Sequence, residues 1–233
     1  MSDYSRPHDD DTQADDESAA FATEAEDEIE TETPIRYRGA TADPLFGLLI
    51  AGAVAVGSMP LAANDPDLRY SIAWGLLITF GVLAWLLGNF PRIGQEKPEN
   101  LAWGVALGLV LGIPLLAFGS GVLGDLAVRV WVTFTPGIVL AYLLFIMPMA
   151  ETLFFRGIMM ELRPFWEAAI MATVWNLLIF FPHINAGPLP LVALVIFGMA
   201  NTLYSYVRLR NGLAAAWLCQ IIVSLMILFF PYI

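Results

Sequence analysis

Residues 131–157 read WVTFTPGIVLAYLLFIMPMAETLFFRG. The part from Trp131 to Ala150 carries no charged residue, and as an α-helix its 20 residues are long enough to cross the roughly 30 Å of bilayer hydrocarbon. Glu151 follows at once, and residues 153–155 continue the apolar run beyond it. Because an acidic side chain is costly to place in lipid, this stretch predicts a membrane helix with a functional or paired carboxylate near its end.

Six further apolar stretches of 18 to 23 residues follow the same pattern. The composition agrees, since 58% of the residues are hydrophobic and 14% are charged, whereas soluble domains carry about 25% charged residues. Lipid cannot satisfy free backbone groups, and the alternation typical of a barrel strand is absent. We therefore expect an all-α, multi-pass membrane helix bundle of about seven transmembrane helices. The other six stretches are 44–63, 70–90, 101–123, 165–183, 189–206 and 213–230.

The N-terminal segment differs from the rest. Residues 1–32 contain 13 acidic residues against Arg6 alone, and they have almost no apolar content. Such a segment cannot bury enough surface to offset the entropy of ordering it. We therefore predict a disordered acidic tail at residues 1–38, on the cytoplasmic side, followed by a transmembrane domain at residues 39–233.

Several classes of protein are excluded by residue counts. There is no basic patch and only one lysine, Lys97, so nucleic acid is not an expected partner. The single cysteine, Cys219, excludes internal disulfides and Cys-based zinc sites, and two histidines cannot form an HExxH zinc motif in this sequence. The expected partners are membrane lipids and a membrane-associated protein or peptide substrate; the oligomeric state stays open.

Basic residues between the apolar stretches predict the orientation of the bundle. Eight arginines and lysines fall on the side of the N-terminus and two on the other side. The excess of positive charge normally faces the cytoplasm. We therefore expect a multi-pass protein with its N-terminus in the cytoplasm and its C-terminus outside. The eight residues are Arg36, Arg38, Arg92, Lys97, Arg156, Arg163, Arg208 and Arg210, and the two are Arg69 and Arg129.

Polar side chains inside the apolar stretches are the candidates for chemistry. Glu151 is the strongest, because a carboxylate held away from water can act as a general base near neutral pH; the alternative is a structural ion pair. His183 ends the fifth stretch, with Asn176 seven residues earlier on the same helix face. Gln220 and Ser224 share a face of the seventh stretch at i, i+4 spacing. Such a pair also occurs simply as a contact between helices.

In this order, three motifs resemble those of the CPBP family of intramembrane proteases, which includes the CAAX prenyl endopeptidases and Abi proteins. The family pattern is EExxxR, then FxxxH, then HxxxN, on neighbouring helices. The first motif reads ETLFFR at residues 151–156, followed by Gly157; the second reads IFFPH at 179–183; the third reads QIIVS at 220–224. The likeness covers about residues 131–230.

The resemblance implies a role for each matching residue. Glu151 and His183 would activate water, and Gln220 and Ser224 would stand where the family has the histidine and asparagine that stabilise the oxyanion. Thr152, in place of the second glutamate, and Arg156 would support the motif. Gln and Ser can still donate hydrogen bonds. Only Glu151 and His183 are suitable ligands for a divalent metal, whereas a catalytic zinc normally takes three protein ligands. The sequence therefore supports a divalent metal only weakly, and it establishes no cofactor.

Three functions remain compatible with these motifs. The first is an intramembrane endopeptidase that cleaves a membrane-proximal peptide bond with a Glu/His-activated water. The second is a catalytically impaired relative that acts as a membrane scaffold or as a binding or immunity protein, since four family positions are altered, at Thr152, Ile179, Gln220 and Ser224. The third is a transporter. For a catalytic site, Glu151, His183, Gln220 and Ser224 must meet at one polar cavity.

The positions of Glu151 and His183 along their helices test whether the two side chains can meet. At 1.5 Å per residue, Glu151 lies about 18 Å before the turn at Arg163 and Pro164, whereas His183 lies about 28 Å beyond it. The two reach one depth only if the fifth helix tilts or begins below the interface. In the family motif the second glutamate stands four residues before the arginine and can pair with it, but here that position is Thr152. We therefore expect Arg156 to pair with a carboxylate of another segment, such as Glu167 or Asp125, or with a lipid phosphate.

Overall fold

The computed structural model describes residues 44–86, 97–185 and 187–233, and every regular element in these residues is a helix. The predicted all-α, multi-pass membrane bundle is confirmed. The main helices are α1 (Pro44–Gly57), α2 (Pro66–Leu86), α3 (Pro98–Val130), α4 (Pro136–Leu162), α5 (Phe165–Ile184), α6 (Leu189–Asn211) and α7 (Leu213–Phe229), and a short helix, Leu61–Asn64, lies between α1 and α2. Five of them, α2 to α6, are long and apolar enough to cross a membrane, and α1 and α7 are shorter apolar helices. The proposed tail, residues 1–38, lies outside the described residues.

Helix α4 is the central helix of the bundle. It is contacted by α1, α2, α5, α6 and α7, and from Met147 to Met159 only Met149 and Leu153 are not buried. Two stretches of α4, Tyr142–Ile146 and Thr152–Met159, are wound as wide π-turns with i→i+5 hydrogen bonds. Such turns are rare and frequently mark functional sites. Glu151 lies between the two, so the residue that the sequence singles out is also where the helix is irregular.

Helices α3 and α7 pack at very short range through three glycines of α3. A Cβ added at Gly104 would lie 2.3 Å from the carbonyl oxygen of Ala215, and one at Gly108 would lie 3.0 Å from Cβ of Ile222. A Cβ at Gly112 would meet Met226 at 2.7 Å. These positions repeat every four residues, the small-residue pattern by which membrane helices approach backbone to backbone.

Arg69 of α2 forms hydrogen bonds to the backbone of α5 close to Pro182. Pro182 has no N–H, so the carbonyl of Leu178, four residues earlier, lacks its helical donor. The fully buried guanidinium of Arg69 donates to this carbonyl at 3.3 Å and to the carbonyl of Ile179 at 2.5 Å. A buried cation therefore satisfies the backbone group that the proline leaves free.

We expect Arg69→Met to lower the stability of the bundle by about 1–3 kcal/mol, the cost of a buried polar group without its partner. In a Pro182→Ala chain the new N–H can satisfy Leu178, so the same substitution costs less. Thermal unfolding in detergent of the four chains measures both costs. Equal costs in the two backgrounds would show that Arg69 acts independently of the proline.

Candidate functional site

Side chains from three helices donate hydrogen bonds to the carboxylate of Glu151. Its Oε1 accepts from Nε1 of Trp74 on α2 at 3.2 Å and from Nδ2 of Asn176 on α5 at 2.6 Å. Its Oε2 accepts from Nε2 of Gln220 on α7 at 2.7 Å. The side chain has no exposed surface. The sequence prediction that Glu151 faces protein rather than lipid agrees with this arrangement, and Gln220 is beside it.

The hydrogen bonds continue from Glu151 to a second buried charge. Asn176 accepts through Oδ1 from Nδ2 of Asn201 at 2.9 Å, and Asn201 in turn accepts from the guanidinium of Arg156. Arg156 has no exposed surface, and its guanidinium lies over the ring of Tyr204, 5.1 Å from the centroid. Two asparagines, on α5 and α6, thus connect the buried cation and the buried anion of α4. We call the side chains of Glu151, Asn176, Asn201 and Arg156 the polar chain.

The two buried charges of the polar chain have opposite signs, so each lowers the cost of burying the other. Removing two charges from water is expensive, and further hydrogen bonds to the pair offset part of that cost. The carboxylate of Glu151 accepts three, whereas Nε and Nη1 of Arg156 have no hydrogen-bond partner among the described residues. Thr152 donates to Oε1 of Gln220 at 3.0 Å, which fixes the amide that donates to Glu151. Thr152 and Arg156 are therefore both connected to Glu151 in this arrangement, Thr152 through Gln220 and Arg156 through Asn201 and Asn176.

The predicted partner of Arg156 is wrong. No carboxylate hydrogen-bonds to Arg156 among the described residues, and full burial separates it from lipid phosphate. Glu167 instead lies 3.8 Å from Arg163, and Asp125 is exposed on α3. The prediction assumed that a buried arginine needs a direct ionic partner. In this structure Arg156 instead hydrogen-bonds to Asn201, and its guanidinium lies over the ring of Tyr204.

His183 does not reach the carboxylate. Its ring lies against Tyr70, with the centroids 6.2 Å apart, and it forms no hydrogen bond with Glu151 in the described part of the chain. The reason is the short turn between α4 and α5. Glu151 stands twelve residues before Arg163 and Asn176 stands twelve after Pro164, so an antiparallel pair of helices brings these two to the same depth. His183 is seven residues further, about 10 Å along the helix.

Ser224 is also directed elsewhere. It is fully buried, and its hydroxyl has no hydrogen-bond partner, Glu151 included, among the described residues. The structure therefore brings together Glu151 and Gln220 of the four expected site residues, and it places His183 and Ser224 outside the hydrogen bonds of the carboxylate.

Asn176 is the partner of Glu151 where the sequence analysis expected His183, and Asn201 is the partner of Arg156 where it expected a carboxylate or a phosphate. Both are amides in the middle of apolar stretches, and the equal count of residues on either side of the α4–α5 turn identifies Asn176 as the residue level with Glu151. Trp74 has no such signal, because its role depends on how α2 packs against α4.

The geometry limits what the carboxylate can do. Three of its roughly four acceptor positions are occupied by protein donors. One N–H of the Gln220 amide is directed at Glu151, so in this arrangement that donor is not free to stabilise an oxyanion. Within the described residues, no three His, Cys, Asp or Glu side chains are grouped to hold a metal ion, and a site built from Glu151 and His183 does not form because the two do not meet.

The fold and the polar chain define a multi-pass membrane helix bundle with a charged, hydrogen-bonded core. No protein-family model, curated protein or solved structure matches this chain.

Proposed function

We propose that this protein is a CPBP-like membrane bundle without the proteolytic chemistry, and that it acts as a scaffold or binding protein. The observation that carries the proposal is the environment of Glu151. Its carboxylate is fully buried and accepts three hydrogen bonds, from Trp74, Asn176 and Gln220, with no histidine among its partners. A general base must reach the proton that it removes, directly or through one water.

An intramembrane endopeptidase is the second candidate. It is favoured by the intramembrane carboxylate of Glu151 at the junction of two π-turns, a placement typical of functional rather than purely structural residues. In this alternative, water enters the site after a movement of α2 or α7, and Gln220 then turns toward the substrate. His183 would have to act from a different position of α5.

A comparison of protein N-termini separates the two candidates. Membranes of cells that express the wild type, Glu151→Gln or Gln220→His at equal levels are compared for new N-terminal peptides. We expect the same N-termini in all three, because no water-activating pair is assembled. New N-termini that depend on Glu151, and that increase with Gln220→His because it restores the family's donor, would establish the endopeptidase. Glu161→Gln, which changes a carboxylate outside the polar chain, is the matched control.

We also propose that the N-terminus lies in the cytoplasm and the C-terminus outside. The proposal is supported by four basic residues at one end of the bundle, where α3 begins and where α4 joins α5 and α6 joins α7. In a Cys219→Ser chain, single cysteines at Ser5 and Ile233 should react with an impermeant thiol reagent from opposite sides. Reaction of both from one side would overturn the orientation. The four residues are Lys97, Arg163, Arg208 and Arg210.

A further inference from the structure

A groove with a volume of about 850 Å³ lies between α3 and α6 on the outer surface of the bundle. Leu107 and Val110 form part of its α3 side, and Leu194 and Met199 form part of its α6 side. Val110 is 69% exposed and Met199 is 48% exposed, so the apolar lining faces the membrane. The occupant therefore comes from the bilayer.

The floor of the groove is formed by small residues with no free polar group. A Cβ at Gly198 would meet only Thr173, at 4.0 Å, and the hydroxyl of Thr202 donates to the carbonyl of Gly198 at 2.8 Å. This hydroxyl donates within its own helix, and apart from Thr202 and Tyr206 the described lining residues carry no polar side chain, so the groove offers mainly shape and apolar surface. Such a surface suits a hydrocarbon chain.

The size of the groove favours a lipid chain over a protein helix. A membrane-spanning helix is a cylinder about 10 Å wide and 30 Å long, or roughly 2,400 Å³. The groove holds about a third of that volume. An acyl chain is much thinner than a helix and needs far less of this volume.

One end of the groove carries unpaired positive charge. Tyr206 lines the groove, and Arg210 follows one turn later on the same face of α6. Arg210 is exposed and forms no ion pair within the described residues, whereas Arg208, two residues before it, pairs with Glu161 at 3.2 Å. Lys97, also exposed, begins α3 at the same end of the bundle. Basic residues beside grooves between membrane helices bind anionic lipid headgroups.

We propose that this groove binds an anionic phospholipid, with an acyl chain between α3 and α6 and its phosphate beside Arg210. The lipid covers the apolar walls, and the headgroup compensates the charge of Arg210, which has no ionic partner in the part of the chain that the structure describes. This site is separate from the polar chain and does not depend on the function proposed above.

Native mass spectrometry of the full chain, titrated in detergent with palmitoyl-oleoyl phosphatidylglycerol or phosphatidylcholine, tests the proposal. We expect the wild type to retain phosphatidylglycerol more strongly. Arg210→Gln should weaken phosphatidylglycerol binding about fivefold, the usual effect of one basic residue near a headgroup, and leave phosphatidylcholine binding unchanged. Met199→Trp, which fills the groove from an exposed position, should weaken binding of both lipids. Arg129→Gln, at the opposite end of α3, is the matched control.

Three results would overturn the proposal. Unchanged binding of both lipids in Met199→Trp would place the lipid elsewhere, and unchanged phosphatidylglycerol binding in Arg210→Gln would remove the headgroup contact. A wild-type dimer that Met199→Trp converts to a monomer would show that a second copy fills the groove. Equal thermal unfolding temperatures of the variants exclude misfolding as the cause.

Discussion

Gly104→Ala should destabilise the bundle even though it adds only one methyl group. The new Cβ would lie 2.3 Å from the carbonyl oxygen of Ala215 and 2.9 Å from its carbonyl carbon, and both are backbone atoms of α7 that cannot rotate away. The helices must separate, and overpacking of this kind costs about 1–3 kcal/mol. Thermal unfolding in detergent should show a decrease of roughly 2–12 °C.

The matched control lies on the same helix. A Cβ at Gly121 meets nothing within 4 Å, so Gly121→Ala adds the higher helix propensity of alanine without a clash. That gain is up to about 1 kcal/mol, and we expect this variant to be equally stable or more stable. The two substitutions are chemically identical, so their opposite signs isolate the contact between α3 and α7. A decrease of the same size at Gly121 would contradict the interpretation.

Removing both charges of the polar chain should cost less than the sum of the costs of removing each one. Arg156→Met leaves the carboxylate of Glu151 buried without its compensating cation, and Glu151→Gln leaves the guanidinium in the same state. Each loss is expected to lower the free energy of unfolding by about 3–5 kcal/mol. In the double variant Glu151→Gln, Arg156→Met no buried charge remains, so its cost should be clearly less than the sum.

Thermal or denaturant unfolding of the four chains gives the coupling energy, for which we expect about 0.5–3 kcal/mol. Arg163→Met is the control, because Arg163 is half-exposed in its pair with Glu167 and such pairs contribute at most about 1 kcal/mol. Strictly additive costs in the double variant would mean that the two charges stabilise the fold independently, and that the asparagine relay does not join them.

The apolar stretches alone determine that this is a multi-pass helical membrane protein. A run such as Trp131–Ala150 has no alternative in lipid, since only a helix satisfies its backbone groups internally. The same reasoning predicts that Glu151 faces protein, and the glycine spacing in α3, at Gly104, Gly108 and Gly112, also carries a signal of close helix packing. These properties are local, because they follow from length, hydropathy and the cost of burying one charge.

The partners of Glu151 are decided by the tertiary structure. The motif likeness assigns His183 to it, but the antiparallel arrangement of α4 and α5 brings Asn176 level with it instead. Trp74 reaches the carboxylate only because α2 packs against α4, and Arg156 hydrogen-bonds to Asn201 on α6 rather than to an acidic residue. Hydrogen bonds depend on depth and rotation to within about an ångström. The sequence determined that these stretches form membrane helices and that Glu151 must be kept away from lipid, and the packing of the helices decided that Arg69 and Arg156 are also buried and which side chains meet.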